Sequence, residues 1–398
     1  MGSIGLDLAG WAAAYRPSPA DLALADRALA DTVAVALAAR DHPVTALAAA
    51  LGPGGRWAAA GHVLDFDDLH MSSTSHVSVV CVPAVLAVGG AAPDLARAYL
   101  AGAGVMARLG DALGWSHYRA GWHATGTAGA LGAAAGAAVA LGLPADGIAT
   151  ALALAVPAAG GVQRAFGTDA KSLQVGFAVD AGVRAARLAA AGAGADPAAV
   201  SAWFGLVGGA GPVDLGGPAV PGGLAIKVYP CCYALQRPIS ALASLAVDPA
   251  AVTRIVLRTP EATVAPLIHH RPTTGLQGKF SLEYAAATAL LDPYSGFDAF
   301  TDAAVRRPAA QELVSRVETV LEPGGDWLLA GSLTAAVSLR TGETVEVTQQ
   351  FPPGSPARPP TPAELAAKIA DCTAGLSPGP VTWSTAASVL RAELGGGA

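Results

Sequence analysis

The feature that most constrains the fold is an uncharged segment rich in glycine and alanine, residues 124–143 (ATGTAGALGAAAGAAVALGL). It is long enough to cross a membrane, and Gly132 and Gly136 have the GxxxG spacing of membrane helix dimers. Alanine and glycine partition only weakly into lipid, however, and no aromatic belt or basic flank accompanies the segment. We therefore predict a buried helix whose small residues let neighbouring helices approach closely, and no membrane partner.

Composition narrows the class of protein. A chain of 398 residues exceeds the size at which one hydrophobic core usually stops growing, so two domains are predicted. A net charge of −6 argues against nucleic acid as a partner. The four cysteines show neither CxxC nor zinc spacing, and the N-terminus has no signal-peptide pattern. Reduced thiols and a cytoplasmic location are therefore predicted.

The first half of the chain has the pattern of successive apolar helices. Ser18 is predicted to cap a helix that begins at Pro19. Residues 76–90 and the run from Pro93 continue this pattern. The Gly/Pro-rich segment 207–223 then interrupts it, as is typical of a domain boundary.

The pattern changes beyond that boundary. Residues 252–259 alternate like a half-buried strand, and residues 333–340 and 344–350 are typical of a β-hairpin. Helical patterns lie between them. The proline-rich linker 352–362 then leads back to helical sequence.

These patterns predict a mainly α fold with an α+β insertion. Residues 1–224 together with 354–398 are predicted to form a large all-helical domain from both chain ends. Residues 225–353 are predicted to form a smaller α+β lid domain.

Ionisable side chains are concentrated in one otherwise apolar segment, residues 58–83. It contains three aspartates and three histidines: Asp65, Asp67, Asp68, His62, His70 and His76. Only 14% of the chain is charged, and burying such groups is costly unless they pair or do chemistry. The segment is a candidate active-site wall; helix caps and surface polar groups are the alternative. His70 and Asp67 receive no role.

Further candidates lie outside that segment. Lysine is scarce, and Lys171 and Lys227 occupy polar turns where a compact ammonium group is useful, with surface solvation as the alternative. His123, beside Thr125 at the start of the Gly/Ala helix, fits a carboxylate-binding loop, with ordinary capping as the alternative. Together with His76, these residues predict a cationic pocket suited to a small polycarboxylate.

Such a pocket suits proton removal next to a carboxylate. Because charge builds up on that carboxylate, an enzyme without a metal needs fixed cations and a base. Asp65 or Asp68 could orient a histidine. Tyr284 could donate a proton, although its spacing favours a core tyrosine. The cluster from Asp65 to Asp68 superficially resembles the magnesium sites of terpenoid synthases, but no second metal motif is present, so no metal is predicted.

Five segments together resemble the MmgE/PrpD family, which includes 2-methylcitrate dehydratase, cis-aconitate decarboxylase and iminodisuccinate epimerase. They are GHVLDFDDLH with His76 following, GWHATGTAGALGAAAG, AFGTDAKSLQVG, KVYPCCYALQRPI and RPTTGLQGKFSLEYAAATALLD, in family order. The resemblance implies a helical main domain built from both chain ends, an inserted α+β lid, a homodimer and a site without metal or cofactor.

The resemblance also implies roles for individual residues. Asp65 matches the family's active-site aspartate and His76 the histidine thought to act in proton transfer. The predicted catalytic residues are His76, Lys171, Asp65 and Tyr284. The predicted substrate-binding residues are His123, Lys227, Asp68, Thr125 and Gln174.

Some positions depart from the family pattern. Many members have a histidine where this chain has Gln174, and others have histidines in the lid motif where this chain has Cys232 and Gln236. These changes spare the lysines but alter the pocket wall, so they weaken the transfer of any particular substrate.

The predicted function is that of a metal- and cofactor-independent lyase acting on a small di- or tricarboxylate, most similar to the hydro-lyase 2-methylcitrate dehydratase. Decarboxylation and epimerisation share its carbanion-like step and stay open. A relative that binds a carboxylate without turnover is a further alternative.

Overall fold

The computed structural model describes residues 3–90, 92–264, 266–324 and 330–395. The α-helices in this part are α1 (Ile4–Ala14), α2 (Pro19–Ala38), α3 (Pro43–Leu47), α4 (Pro53–Val63), α5 (Ser78–Val88), α6 (Ala92–Arg119), α7 (Ala124–Ala140), α8 (Ala145–Ala155), α9 (Ala170–Ala190), α10 (Ala198–Leu206), α11 (Gln236–Ala243), α12 (Gly275–Gly278), α13 (Leu282–Leu291), α14 (Asp302–Val305), α15 (Pro308–Ser315), α16 (Pro362–Cys372) and α17 (Ala386–Leu394). The strands are β1 (Val252–Pro260), β2 (Val317–Glu322), β3 (Leu333–Leu339) and β4 (Thr344–Gln349). The fold is thus mainly helical with a small sheet, which confirms the predicted class at this level.

Contacts divide the chain into two units, Met1–Ala225 with Cys372–Ala398 and Ile226–Asp371. The sequence predicts boundaries after residues 224 and 353, so Ala225 and residues 354–371 differ in assignment. Two hydrogen bonds explain why residues 354–371 join the second unit. The N–H of Ile226 donates to the carbonyl of Gly354 over 2.8 Å, and Asp371 accepts from the N–H of Phe297 over 2.9 Å.

The first unit begins its second helix at the predicted residue. Ser18 Oγ accepts the N–H of Asp21 at 3.2 Å, and Asp21 accepts the N–H of Ser18 at 2.9 Å. Pro19 occupies the first helical position, where its missing N–H costs nothing. The capping box that results satisfies two backbone donors at the helix start.

Helix α7 is buried along almost its whole length. It packs closely against α6, because a Cβ on Gly102 would lie only 2.7 Å from the carbonyl oxygen of Gly132 and 3.0 Å from the Cα of Gly136. It packs as closely against α9, where a Cβ on Gly182 would lie 2.8 Å from the carbonyl oxygen of Ala130. The prediction of a buried, closely packed helix is confirmed. No helix within the described ranges is both long and apolar enough to cross a membrane.

The second unit contains a four-stranded sheet of order β2-β1-β3-β4. Strands β3 and β4 pair antiparallel, which confirms the predicted hairpin, and β1 confirms the predicted strand. Sequence reasoning did not find β2, which pairs parallel with β1 and is half exposed. A short, half-exposed strand carries too little periodic signal to be recognised alone.

Candidate active site

The candidate site begins where α4 ends. Asp65 adopts a left-handed backbone conformation, φ 54°, which aspartate tolerates better than most residues. Its N–H donates to the carbonyl of His62 over 3.2 Å. The turn carries the chain from His62 on the last turn of the helix to Asp67. Backbone conformations of this kind cluster at functional sites.

The carboxylate of Asp67 lies between two imidazoles. His62 Nδ1 donates to Asp67 Oδ2 over 2.8 Å, and His76 Nδ1 lies 3.0 Å from the same oxygen. The side chains of His62 and Asp67 are 0% and 1% exposed, whereas that of His76 is 12% exposed. His76 is therefore the member of this trio that is accessible to a ligand. Sequence reasoning missed Asp67 because the neighbouring Asp65 matches the family's active-site residue.

The charge states in the trio follow from burial and from partners. Burial raises the pKa of Asp67, but His76 and His62 outweigh it and hold that pKa well below its usual range. Burial lowers the pKa of His62 to about 4, although Asp67 opposes the shift. At neutral pH an ionised Asp67 thus accepts from a neutral His62. His76 Nδ1 lies 3.0 Å from the carboxylate without forming a hydrogen bond to it, so the negative charge of Asp67 favours a proton on Nδ1 and leaves Nε2 as the basic atom.

The start of α7 forms a second wall. His123 is the N-cap, and its ring stacks on that of His62 with centroids 5.8 Å apart. Thr125 Oγ1 accepts the backbone N–H of His76 over 3.0 Å. Thr125 is fully buried, so its observed contact fixes the backbone of His76, and its predicted contact with substrate stays a prediction.

Helix α9 supplies the accessible cation of the site. Lys171 Nζ donates to Asp65 Oδ1 over 2.9 Å, and the two side chains are 22% and 39% exposed. The same Nζ lies 5.8 Å from the ring centroid of Phe166, which packs edge-on against the ring of His123 at 5.0 Å. The sequence predicts Lys171 in a polar turn, whereas the structure places it, like Gln174, at the start of the helix.

Gln174 and His123 are directly linked. Gln174 Nε2 donates to His123 Nδ1 over 2.6 Å, and Gln174 Oε1 accepts the N–H of Val162 over 3.0 Å. Burial, and then the nearby His62, His76 and Lys171, lower the pKa of His123 to about 2. His123 is therefore neutral and adds no positive charge to the predicted cationic pocket.

Asp68 has different surroundings from Asp67. It accepts the N–H of Ser78 over 3.1 Å and the hydroxyl of Ser78 with its other oxygen. The Ser78 hydroxyl also lies 2.7 Å from that of Tyr99. Burial raises the pKa of Asp68 to about 6. Both oxygens are engaged in the interior, and the predicted substrate contact stays a prediction.

His70, which received no role, is held by structural contacts. Its Nε2 donates to the carbonyl of Pro221 over 2.6 Å, and its Nδ1 lies 2.7 Å from Ser73 Oγ. It is 1% exposed. These bonds fix the loop that leads to His76.

Two predicted residues, Lys227 and Tyr284, belong to the second unit. Lys227 is buried, and the fully buried Tyr284 donates its hydroxyl proton to the carbonyl of Ala299. Gln236, one of the departures from the family pattern, accepts the N–H of Tyr229 over 3.0 Å and holds the backbone just after Lys227. The roles of Lys227 and Tyr284 stay predictions.

The trio of His62, Asp67 and His76 is also a candidate metal centre, since its ligand atoms lie within 4.8 Å of one another. Two imidazoles and a carboxylate are acceptable donors for a transition metal. His62 Nδ1, however, donates a proton to Asp67, and a metal bound there would have to displace that proton. The trio is therefore assigned as an acid–base group.

Comparison with known proteins agrees with the resemblance. Residues 56–208 match the MmgE/PrpD N-terminal domain, and residues 229–381 match the MmgE/PrpD C-terminal domain. Human cis-aconitate decarboxylase is 28% identical over 291 residues. That alignment covers 66% of this chain and 60% of the human protein, so the chain spans less than two thirds of that relative's length.

Proposed function

The chain belongs to the MmgE/PrpD family, and we propose that it is a metal-independent lyase that removes a proton next to a carboxylate of a small di- or tricarboxylate. The observation that carries the proposal is the buried, ionised Asp67 behind an accessible His76. A buried carboxylate in this position stabilises the imidazolium that forms when the histidine takes a proton. Cytoplasmic location and a homodimer belong to the same proposal.

Each residue of the site has a part in the proposed reaction. His76 Nε2 takes the proton, which as general-base catalysis contributes roughly 10²- to 10⁴-fold in rate. Lys171 pairs with the substrate carboxylate on which charge accumulates, and Asp65 holds Lys171 until the substrate arrives. His123 donates a hydrogen bond. For Lys227 and Tyr284, the roles of a carboxylate-binding cation and a proton donor remain part of the proposal.

The carbanion formed by proton removal has several fates. In a hydro-lyase its electron pair forms a double bond as hydroxide leaves with a proton from a donor. In an epimerase the proton returns on the opposite face. A decarboxylase reaches its carbanion without removing a proton: the electrons of the C–C bond stay on carbon as carbon dioxide leaves, and a proton from a donor is then added. The motifs favour the hydro-lyase, whereas the name of the human relative favours the decarboxylase.

The test is to incubate the protein in heavy water with cis-aconitate, citrate or 2-methylcitrate and to follow each compound by proton NMR. We expect C–H exchange or product with at least one, and the product identifies the reaction. His76→Gln should lower the initial rate by roughly 10²- to 10⁴-fold. His70→Gln is the matched control, because His70 lies in the same loop but bonds to Pro221 and Ser73. Absence of both exchange and product with every compound, or equal rates for His76→Gln and the wild type, would refute the proposal.

A second candidate function is binding of a carboxylate metabolite without turnover. Gln174 favours it, because the side chain that stands where many family members have a histidine cannot exchange protons. This candidate predicts that the same compounds raise the thermal midpoint without being consumed. Detectable turnover of a stabilising compound would exclude it.

A further inference from the structure

The backbone around His123 is held by a second loop. Trp122 and Val162 form an antiparallel bridge, and the N–H of His123 donates to the carbonyl of Gly161 over 3.0 Å. Gly161 has φ +148°, and a Cβ there would lie 3.4 Å from both the His123 carbonyl oxygen and Gln174 Oε1. Glycine tolerates this positive φ, so the loop can place its carbonyl on the N–H of His123 and hold the ring from that side.

The orientation of the Gln174 amide follows from its backbone partner. Val162 offers a backbone N–H, which can only donate, so the amide oxygen must face it at 3.0 Å. The amide nitrogen also reaches the Val162 carbonyl at 3.4 Å, as the same orientation requires. The NH₂ group is then the part of the amide that lies 2.6 Å from His123 Nδ1.

The amide orientation fixes the tautomer of the imidazole. An NH₂ group can only donate, so His123 Nδ1 must accept with its lone pair, and the proton of the neutral ring must lie on Nε2. A proton added to Nδ1 would face the NH₂ group of Gln174 directly. His123 is therefore held as an uncharged ring with one N–H donor.

We propose that Gln174 is a positioning residue that locks His123 as a neutral Nε2–H donor toward the substrate oxygen on which charge develops. The identity of that oxygen rests on the proposed function, whereas the tautomer does not. A neutral imidazole binds a developing oxyanion without surrendering its proton. The site then separates two tasks, since His76 moves the proton and His123 only donates a hydrogen bond.

Two substitutions of Gln174 separate this role from simple packing. Gln174→Glu keeps the acceptor for Val162 but presents a second acceptor to His123 Nδ1, which favours a proton there. Gln174→Met keeps the length and removes both hydrogen bonds. Gln163→Met is the matched control, because Gln163 Nε2 donates to the carbonyls of Tyr118 and Trp122 in the same pair of loops.

The tautomer is measured by NMR on protein labelled with ¹⁵N-histidine, which contains eight imidazoles. The signal that disappears in His123→Asn identifies the ring. We expect the Nε2–H tautomer in the wild type and in Gln163→Met, a proton on Nδ1 in Gln174→Glu, and a mixture in Gln174→Met. A wild-type ring protonated on Nδ1, or an unchanged Nε2–H tautomer in Gln174→Glu, overturns the proposal.

Turnover gives the second readout. Gln174→Glu should lower kcat/KM by roughly 10²-fold, as loss of one preorganised donor to an oxyanion does, mainly through kcat. Its pH–rate profile should gain the ionisation of His123, and Gln163→Met should stay near the wild-type rate. Equal losses in Gln174→Glu and Gln163→Met would show loop packing instead.

The proposed function and this inference can fail separately. If the wild type turns over none of the three compounds, the proposed function fails, and cis-aconitate then serves as a binding probe. A shift of the His123 Nε2–H signal on adding cis-aconitate would support the proposed donor. Binding that leaves this signal unchanged, or no binding of any of the three compounds, would overturn it.

Discussion

Asp67 and Asp68 are neighbours in the chain, and each is 1% exposed, yet their acidities shift in opposite directions. The pKa of Asp67 is held well below its usual range, whereas that of Asp68 is raised to about 6. Burial acts on both in the same sense, so it cannot be the source of the difference. The neighbouring groups cause the difference in pKa. Two imidazoles face Asp67, whereas Asp68 is bonded to the neutral Ser78 and is repelled by the negative charge of Asp31.

This difference in pKa indicates a chemical role for Asp67 and a structural role for Asp68. The ionised Asp67 adjoins His76, through which its charge can act on a ligand. The bonds of Asp68 lead instead to Ser78 and Tyr99 inside the first unit. Two buried carboxylates whose environments push their pKa values apart therefore mark different roles.

The largest expected effect comes from removing the charge of Asp67. Asp67→Asn should lower kcat by roughly 10³-fold, because an amide cannot stabilise the imidazolium of His76. Initial rates on the compound that the wild type consumes measure this loss. Asp68→Asn is the matched control and should change kcat far less. A change confined to KM in Asp68→Asn would indicate the substrate contact predicted for Asp68. Equal losses of kcat in the two variants would contradict the assignment of different roles to Asp67 and Asp68.

A smaller effect is expected from the hydroxyl that supports Asp68. Ser78→Ala removes the Oγ–H donor to Asp68 and a partner of Tyr99, which should lower the free energy of unfolding by about 1–3 kcal/mol. Urea denaturation measures the loss. Ser388→Ala, which removes an exposed hydroxyl bonded to a carbonyl within its own helix end, serves as the control. Similar losses of unfolding free energy in both variants would show that the buried hydrogen bonds of Ser78 stabilise the fold no more than an exposed one does.

The pH dependence of stability should distinguish Asp68 from its asparagine variant. Because the folded-state pKa of Asp68, about 6, lies above the unfolded value, its titration stabilises the fold at low pH, and this contribution is lost as the pH rises through that value. Asparagine does not titrate. The unfolding free energy of Asp68→Asn relative to wild type should therefore rise by about 1.4 kcal/mol between about pH 5 and about pH 8. A difference that does not vary with pH would contradict the raised pKa.

The smallest expected effect is that of a chelator. Both Nδ1 atoms of the trio face Asp67, so EDTA should change neither the rate nor the thermal midpoint. If activity is lost with EDTA and restored by a divalent cation, the trio is a metal centre, and its assignment as an acid–base group is wrong.

Local elements were predictable because their signals are local. The helix cap at Ser18, the close packing of the Gly/Ala helix and the alternation of β1 depend on residue types at short spacing, and the structure contains all three. Strand β2 was missed because a short, half-exposed strand acquires its identity from pairing with β1, a contact distant in sequence.

The candidate site was predictable only in part, for a similar reason. Residue types drew attention to His76, His123 and Lys171, but the partner of each depends on the fold. Asp67 faces His76 because the left-handed turn at Asp65 directs Asp67 inward. The spacing of residue types in the sequence does not predict that turn. The tautomer of His123 depends on Gln174, which another helix supplies.

The close crossing of α7 and α9 has a consequence for how this protein tolerates change. The two helices that approach at Gly182 also carry His123 and Gln174, whose atoms are joined over 2.6 Å. A larger side chain at Gly182 must push the helices apart, since its Cβ would lie only 2.5 Å from the Cβ of Ala133 and 2.8 Å from the carbonyl oxygen of Ala130. Such a substitution would lengthen the hydrogen bond between Gln174 and His123. A mutational screen would then report a loss of activity at Gly182, although Gly182 is a packing residue of the interior.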